Sequence, residues 1–226
     1  GSGVGEREKW IRIKQSDDYK GWRDKFYGVV SDDPYDSNRS CNDLGGVIYS
    51  DAHSKNPLRE ITFGAWLNST KSDQGWSVTL PDGKKGWTES ALRKNPIDIN
   101  RDAAVNLAKQ FLGIQYLWGG KSPKGFDCSG LIQTIFNAMG VVLPRDSGDQ
   151  SHYFINHKIN QEEALPGDLH FFGTEKSVTH VAMEIGHGEY LHCQGWVKEE
   201  SFDKNQPNYN KKLEVSYLHT VSMEKC

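Results

Sequence analysis

The chain has 226 residues, with 27 Lys and Arg against 30 Asp and Glu, and a net charge of −3. No basic surplus exists to neutralise a phosphate backbone, so no nucleic-acid partner is expected. Aromatic residues make up 11% of the chain, too many for a disordered one, and no apolar run reaches the ~20 residues of a membrane span.

Five of the seven Trp (Trp10, Trp22, Trp66, Trp76 and Trp87) precede residue 90. The run from Trp10 to Gly21-Trp22 echoes the run from Trp76 to Gly86-Trp87: a Trp, an alternating strand, a polar turn, then Gly-Trp. Short strands with such turns predict a small all-β barrel. It occupies residues 31–95, preceded over 1–30 by a partial copy or by leading strands. Asn95-Pro96 ends this pattern, and the third segment runs from 96 to 226. There Ala104, Val105, Leu107, Ala108, Phe111 and Leu112 form a helical stripe between Asn100 as N-cap and Gly113 as C-cap. A second helix is predicted from Cys128 to Met139, with Gly140 ending it. After Leu143-Pro144 comes a polar stretch, then the turn Pro166-Gly167-Asp168. Strands follow over 169–172, 178–185 and 189–194. Helices followed by strands predict an α+β fold with an antiparallel sheet.

Cys128 begins the second helix within Gly125-Phe126-Asp127-Cys128-Ser129-Gly130. Exposed N–H groups at a helix start favour a thiolate and, later, an oxyanion, so a lowered thiol pKa is expected. If Gly186-His187-Gly188 is a three-residue loop with Ile185 opposite Glu189, His192 faces Ala182 and His180 faces Gln194. The two histidines then share one face of a hairpin as diagonal neighbours, with Val181 and Met183 on the other. A base and its orienting partner suit that placement. A two-residue loop would put them on opposite faces. The rival reading is a metal held by Cys128, His180 and His192, but it lacks a carboxylate or second cysteine at ligand spacing. No metal and no cofactor are expected. Cys193 is expected to point away from His192 as packing.

Tyr116-Leu117-Trp118-Gly119-Gly120, Phe126-Asp127-Cys128-Ser129-Gly130-Leu131, Leu143-Pro144-Arg145, Gln150, Pro166-Gly167-Asp168-Leu169, Thr179-His180-Val181 and His192 occur in one order and spacing. Together they resemble the NlpC-type cell-wall cysteine peptidases over roughly residues 100–195. The segment before residue 96 resembles, more weakly, bacterial SH3-like domains. The resemblance implies a papain-like catalytic domain, with the nucleophile's helix packed on an antiparallel sheet, preceded by a small all-β SH3-like barrel region. It implies hydrolysis of peptidoglycan stem peptides or muropeptides between D-glutamate and the following diamino acid, by a monomer in the cell envelope or outside the cell, or by a cytoplasmic recycling enzyme. Cys128 is then the nucleophile, His180 the general base and acid, and His192 the residue that orients His180. Tyr116 lines the site and donates to the oxyanion. Asp127 pairs with the ammonium of the stem peptide, caps the helix, or does both. Ser129 and Ser147 give hydroxyl bonds to the D-glutamate carboxylate, and Arg145 is either a carboxylate clamp or a structural ion-pair residue. A wall-binding module with an inactive peptidase-like half, and a thiol amidase or acyltransferase, are the alternatives.

Overall fold

The computed structural model describes residues 2–7, 9–31, 33–53 and 56–224, which fall into two compact units, Gly1–Asn95 and Pro96–Cys226. In the first unit, β1 (Ser2–Arg7), β2 (Trp10–Lys14) and β3 (Lys20–Asp24) form a three-stranded antiparallel sheet. The strands β4 (Arg39–Cys41), β5 (Gly45–Tyr49), β6 (Pro57–Thr62), β7 (Trp66–Ser72), β8 (Gly75–Thr79), β9 (Lys85–Thr88) and β10 (Leu92–Arg93) form a second sheet. Its order is β10-β4-β7-β8-β9-β5-β6, built around Cys41, Ile48, Ile61, Leu67, Val78 and Leu80. Both Gly-Trp echoes are antiparallel hairpins, with Arg12 opposite Trp22 and Ser77 opposite Trp87. Their surroundings differ. Trp87 is buried between neighbouring strands, whereas Trp10 and Trp22 stay nearly half exposed. Gly75 is needed above Trp87, because a Cβ there would meet the indole at 2.9 Å.

The second unit opens with α1 (Arg101–Gln110), capped by the Asn100 side chain on the Ala103 N–H. A short hairpin, β11 (Lys121–Ser122) with β12 (Gly125–Phe126), leads into α2 (Cys128–Ala138), and Gly140, at φ +85, lies just past the helix end. The polar stretch after Pro144 forms α3 (Ser147–Tyr153). A six-stranded antiparallel sheet follows, made of β13 (Lys158–Ile159), β14 (Leu169–Thr174), β15 (Ser177–Gly186), β16 (Glu189–Gln194), β17 (Trp196–Ser201) and β18 (Tyr217–Val221). Its order is β13-β18-β14-β15-β16-β17, and α4 (Lys211–Ser216) precedes the last strand. Among the described residues no helix is long and apolar enough to cross a membrane.

Both faces of this sheet are covered, so its central strands read as nearly continuous apolar runs. α2 packs on β15 and β16. On the other face Phe172, Ala182 and Tyr190 pack with Leu213 of α4. Alternation in β15 therefore puts His180, Ala182 and Glu184 on the α4 side, and Val181 and Met183 opposite.

The β15–β16 turn corrects the expected loop. Gly186 pairs with Glu189, so the loop is the two residues His187 and Gly188, and a bulge at Ile185 takes up the extra residue. Beyond the bulge, Glu184 faces Tyr190 and Met183 faces Leu191, which is the register a three-residue loop would have given. Among the described residues the ladder stops at Met183–Leu191. The expected pairs Ala182–His192 and His180–Gln194 do not form.

Candidate active site

A thiol carried by α2 and an imidazole carried by β15 line one pocket. Cys128 is the first residue of α2, only 8% exposed, and it lines a pocket of about 430 Å³ together with Tyr116, His180, Cys193 and Lys212. The N–H groups of Val181, Ser129 and Cys128 itself point at its sulfur and pull the thiol pKa down. Burial is the larger effect, and with the adjacent Asp127 carboxylate it pushes the thiol above its ordinary value. This corrects the expected lowering: a helix start favours the anion, but a sulfur this enclosed loses more hydration than three amides return.

Behind the pocket, three side chains bond in series. His180 Nε2 lies 2.9 Å from His192 Nδ1, and His192 Nε2 lies 3.0 Å from Glu200 Oε2. Lys198 Nζ sits 2.6 Å from Glu200 Oε1, and Asn210 Nδ2 donates to Glu200 Oε2. These donors hold the Glu200 carboxyl down at about 2 against the cost of its burial. Burial keeps both imidazoles neutral, with His180 pushed down to about 3 and His192 lowered in the same sense.

The tautomers follow from those charges. An ionised Glu200 only accepts, so His192 carries its proton on Nε2. His192 Nδ1 is then a lone pair and accepts from the Nε2–H of His180. A neutral His180 with its proton on Nε2 presents a lone pair at Nδ1. The series thus leaves Nδ1 as the unprotonated nitrogen of His180, a residue that lines the pocket. Its end-to-end arrangement is that of a proton-holding chain, not of ligands converging on a point.

Glu200 and Asn210 were not anticipated from the sequence. The signal for Glu200 was present in the Gln194-Gly195-Trp196 turn: a hairpin there puts residue 200 opposite Tyr190, on the face that holds His192.

Asp127 is committed within the domain. Its carboxylate accepts from the Gly130 N–H (2.7 Å), the Gly119 N–H (2.9 Å), and both terminal nitrogens of Arg145 (3.0 and 2.5 Å). It is the N-cap of α2, as expected among its alternatives, and the partner of a buried Arg145. Arg145 is the structural member of the expected alternatives. Ser129 Oγ accepts from Arg145 at 3.0 Å, and Ser129 and Ser147 are both buried and are not among the residues that line the pocket. Cys193 Sγ donates to Phe126 O at 3.2 Å, and burial pushes that thiol up to about 12.

The remaining motif residues brace the start of α2 and the sheet. Gly130 has no room for a side chain, since a Cβ would fall 2.0 Å from Gly120 O. Gln150 Nε2 donates to Ser129 O and Pro144 O. Asp168 joins Arg101, the Leu165 N–H and the Met223 N–H, tying the start of α1 to the sheet.

Residues 113–217 match the NlpC/P60 family. The chain is 36% identical over 174 residues to a gamma-D-glutamyl-L-lysine dipeptidyl-peptidase of Bacillus cereus (strain ATCC 10987 / NRS 248), covering 72% of this chain and 52% of that protein. The chain thus spans about half the length of that relative. A Bacillus subtilis (strain 168) protein of the same name is 44% identical over 85 residues, covering 36% of this chain and 28% of its own. The crystal structure of an NlpC/P60 family protein from Bacillus cereus ATCC 10987 superposes with a TM-score of 0.82 at 26% identity, covering 98% of this chain and 78% of that one. This chain carries an NlpC/P60 domain, the domain of a family of cysteine peptidases.

Proposed function

From that membership, we propose that the chain hydrolyses peptidoglycan stem peptides at the γ-D-glutamyl–diamino acid bond through Cys128, in the cell envelope or outside the cell. The carrying observation is the series His180–His192–Glu200, whose first imidazole belongs to a residue lining the pocket that Cys128 also lines. The bond assignment follows the names of the two Bacillus relatives.

The chemistry starts from a neutral thiol and a neutral imidazole. As Sγ bonds to the γ-carbonyl carbon, the thiol proton passes to His180 Nδ1. The new imidazolium keeps its Nε2–H on His192, and the Glu200 charge at the end of the series stabilises it. The carbonyl oxygen becomes an oxyanion, met by the Cys128 N–H, which is among the first-turn donors without an intrahelical acceptor. Tyr116, whose hydroxyl burial holds protonated, is the second donor. His180 returns its proton to the amine as the C–N bond breaks, leaving a thioester. Water then attacks the thioester carbon, gives a proton to His180, and the sulfur leaves and regains it.

The test is product analysis by mass spectrometry on L-Ala-γ-D-Glu-diamino acid peptides. Release of L-Ala-D-Glu and the free diamino acid is expected. Cleavage at another amide, or none, would overturn the assignment.

A further inference from the structure

Among the described residues, α4 carries the only formal cation on the side chains lining the pocket. Lys212 and Ser216, one helical turn apart on the same face, both line it, and no Asp or Glu does. The acid on the same helix, Glu214, faces elsewhere: it accepts from Tyr209 at 2.5 Å and pairs with Lys204 at 3.3 Å. The position of α4 is fixed from two sides. Leu213 is buried against Phe172, Ala182 and Tyr190. Asn210 caps the helix through the Leu213 N–H while donating to Glu200. The structure that orients the imidazoles therefore also fixes the helix that carries Lys212.

We propose that Lys212 selects the diamino acid on the leaving side of the bond, favouring one whose side chain ends in a carboxylate (diaminopimelate) over one ending in an ammonium alone (lysine). This inference rests on the γ-glutamyl–diamino acid reading. The two substrates differ by one carboxylate on the distal carbon. An unneutralised lysine ammonium attracts that group and repels a bare ammonium. Thr174, Thr179, Gln194 and Ser216 supply neutral polar surface on the same walls, so no other side chain there distinguishes the two by charge.

The experiment compares kcat/KM for L-Ala-γ-D-Glu-meso-diaminopimelate and L-Ala-γ-D-Glu-L-Lys. The unaltered chain should favour the first by about fivefold, the scale of one partly solvated charge pair. Lys212→Arg should keep that preference, Lys212→Gln should bring the ratio near one, and Lys212→Glu should invert it. Lys212 is exposed, so these variants should fold, as a thermal melt would verify. A ratio unmoved by Lys212→Glu, or an equal loss on both peptides, would overturn the inference, because Lys212 would then read nothing or a carboxylate common to both. If neither peptide is cleaved, the proposed reaction fails. The ratio of binding constants measured by calorimetry on a Cys128→Ala variant then decides the role of Lys212 by the same criteria.

Discussion

Removing the Glu200 carboxylate probes the series behind His180 without touching the pocket, which Glu200 does not line. Its hydrogen bond to His192 Nε2, at 3.0 Å, has an ionised acceptor. Hydrogen bonds to charged groups contribute about 1.5–3 kcal/mol. At about 1.4 kcal/mol per tenfold in rate, Glu200→Ala should lower kcat roughly 10- to 100-fold. In the proposed reaction the loss falls on the transition state, with His180 as an imidazolium, so KM should stay within about twofold. Glu200→Gln still offers an amide oxygen to His192 but no charge, and should cost about tenfold in kcat. Steady-state kinetics on an L-Ala-γ-D-Glu-diamino acid peptide, with circular dichroism to check folding, supply the measurement. A folded Glu200→Ala variant with kcat within twofold of the parent would mean that the Glu200 charge does not act on His180.

Three further outcomes follow from the same contacts. Alkylation of Cys128 by iodoacetamide should rise with pH to an inflection above the ordinary thiol value of ~8.5, because burial and Asp127 oppose ionisation; an inflection below neutrality would mean a resting thiolate. Arg145→Met leaves the Asp127 carboxylate buried and uncompensated, which should destabilise the domain by about 3 kcal/mol, read as a lower urea midpoint, and an unchanged midpoint would contradict this. His180 (folded pKa about 3) and His192, also lowered, stay neutral when folded, whereas in the unfolded chain they take up protons below ~6.5. Stability they contribute is thus complete above ~6.5 and lost as pH falls towards the folded values, at up to about 1.4 kcal/mol per pH unit each. Urea midpoints at pH 7.5 and 5.5 should drop in that order, and an equal or higher midpoint at pH 5.5 would count against it.

Much of the catalytic unit was legible in the sequence because local signals and packing agree there. Asn100 caps α1 as expected, Cys128 starts α2, and β16 spans Glu189–Gln194 as read from its pattern. Near the turn the pairs Glu184–Tyr190 and Met183–Leu191 match the expected register through two offsetting facts, since the loop is one residue shorter than assumed and the bulge at Ile185 restores the parity, but the pairs expected for His180 and His192 do not form. α3, α4 and β17 were missed because their sequences, such as Ser147-Gly148-Asp149-Gln150, carry no apolar stripe and are fixed by tertiary contacts. The ionic state of the site was not legible either. A helix start argues for an anion, but only coordinates reveal how far the sulfur is shut off from water. Asp127 was ambiguous for a similar reason: its partner Arg145 lies eighteen residues away and meets it only after α2 and the following loop are folded.

The central claim, that the Cys128 sulfur carries the acyl group through the reaction, is most directly tested by intact-protein mass spectrometry of acid-quenched mixtures with L-Ala-γ-D-Glu-diamino acid peptides. A transient gain on the parent protein equal to an L-Ala-γ-D-Glu acyl group, located at Cys128, is expected, with neither adduct nor products from Cys128→Ala. Product formation by Cys128→Ala at the parent rate would contradict it.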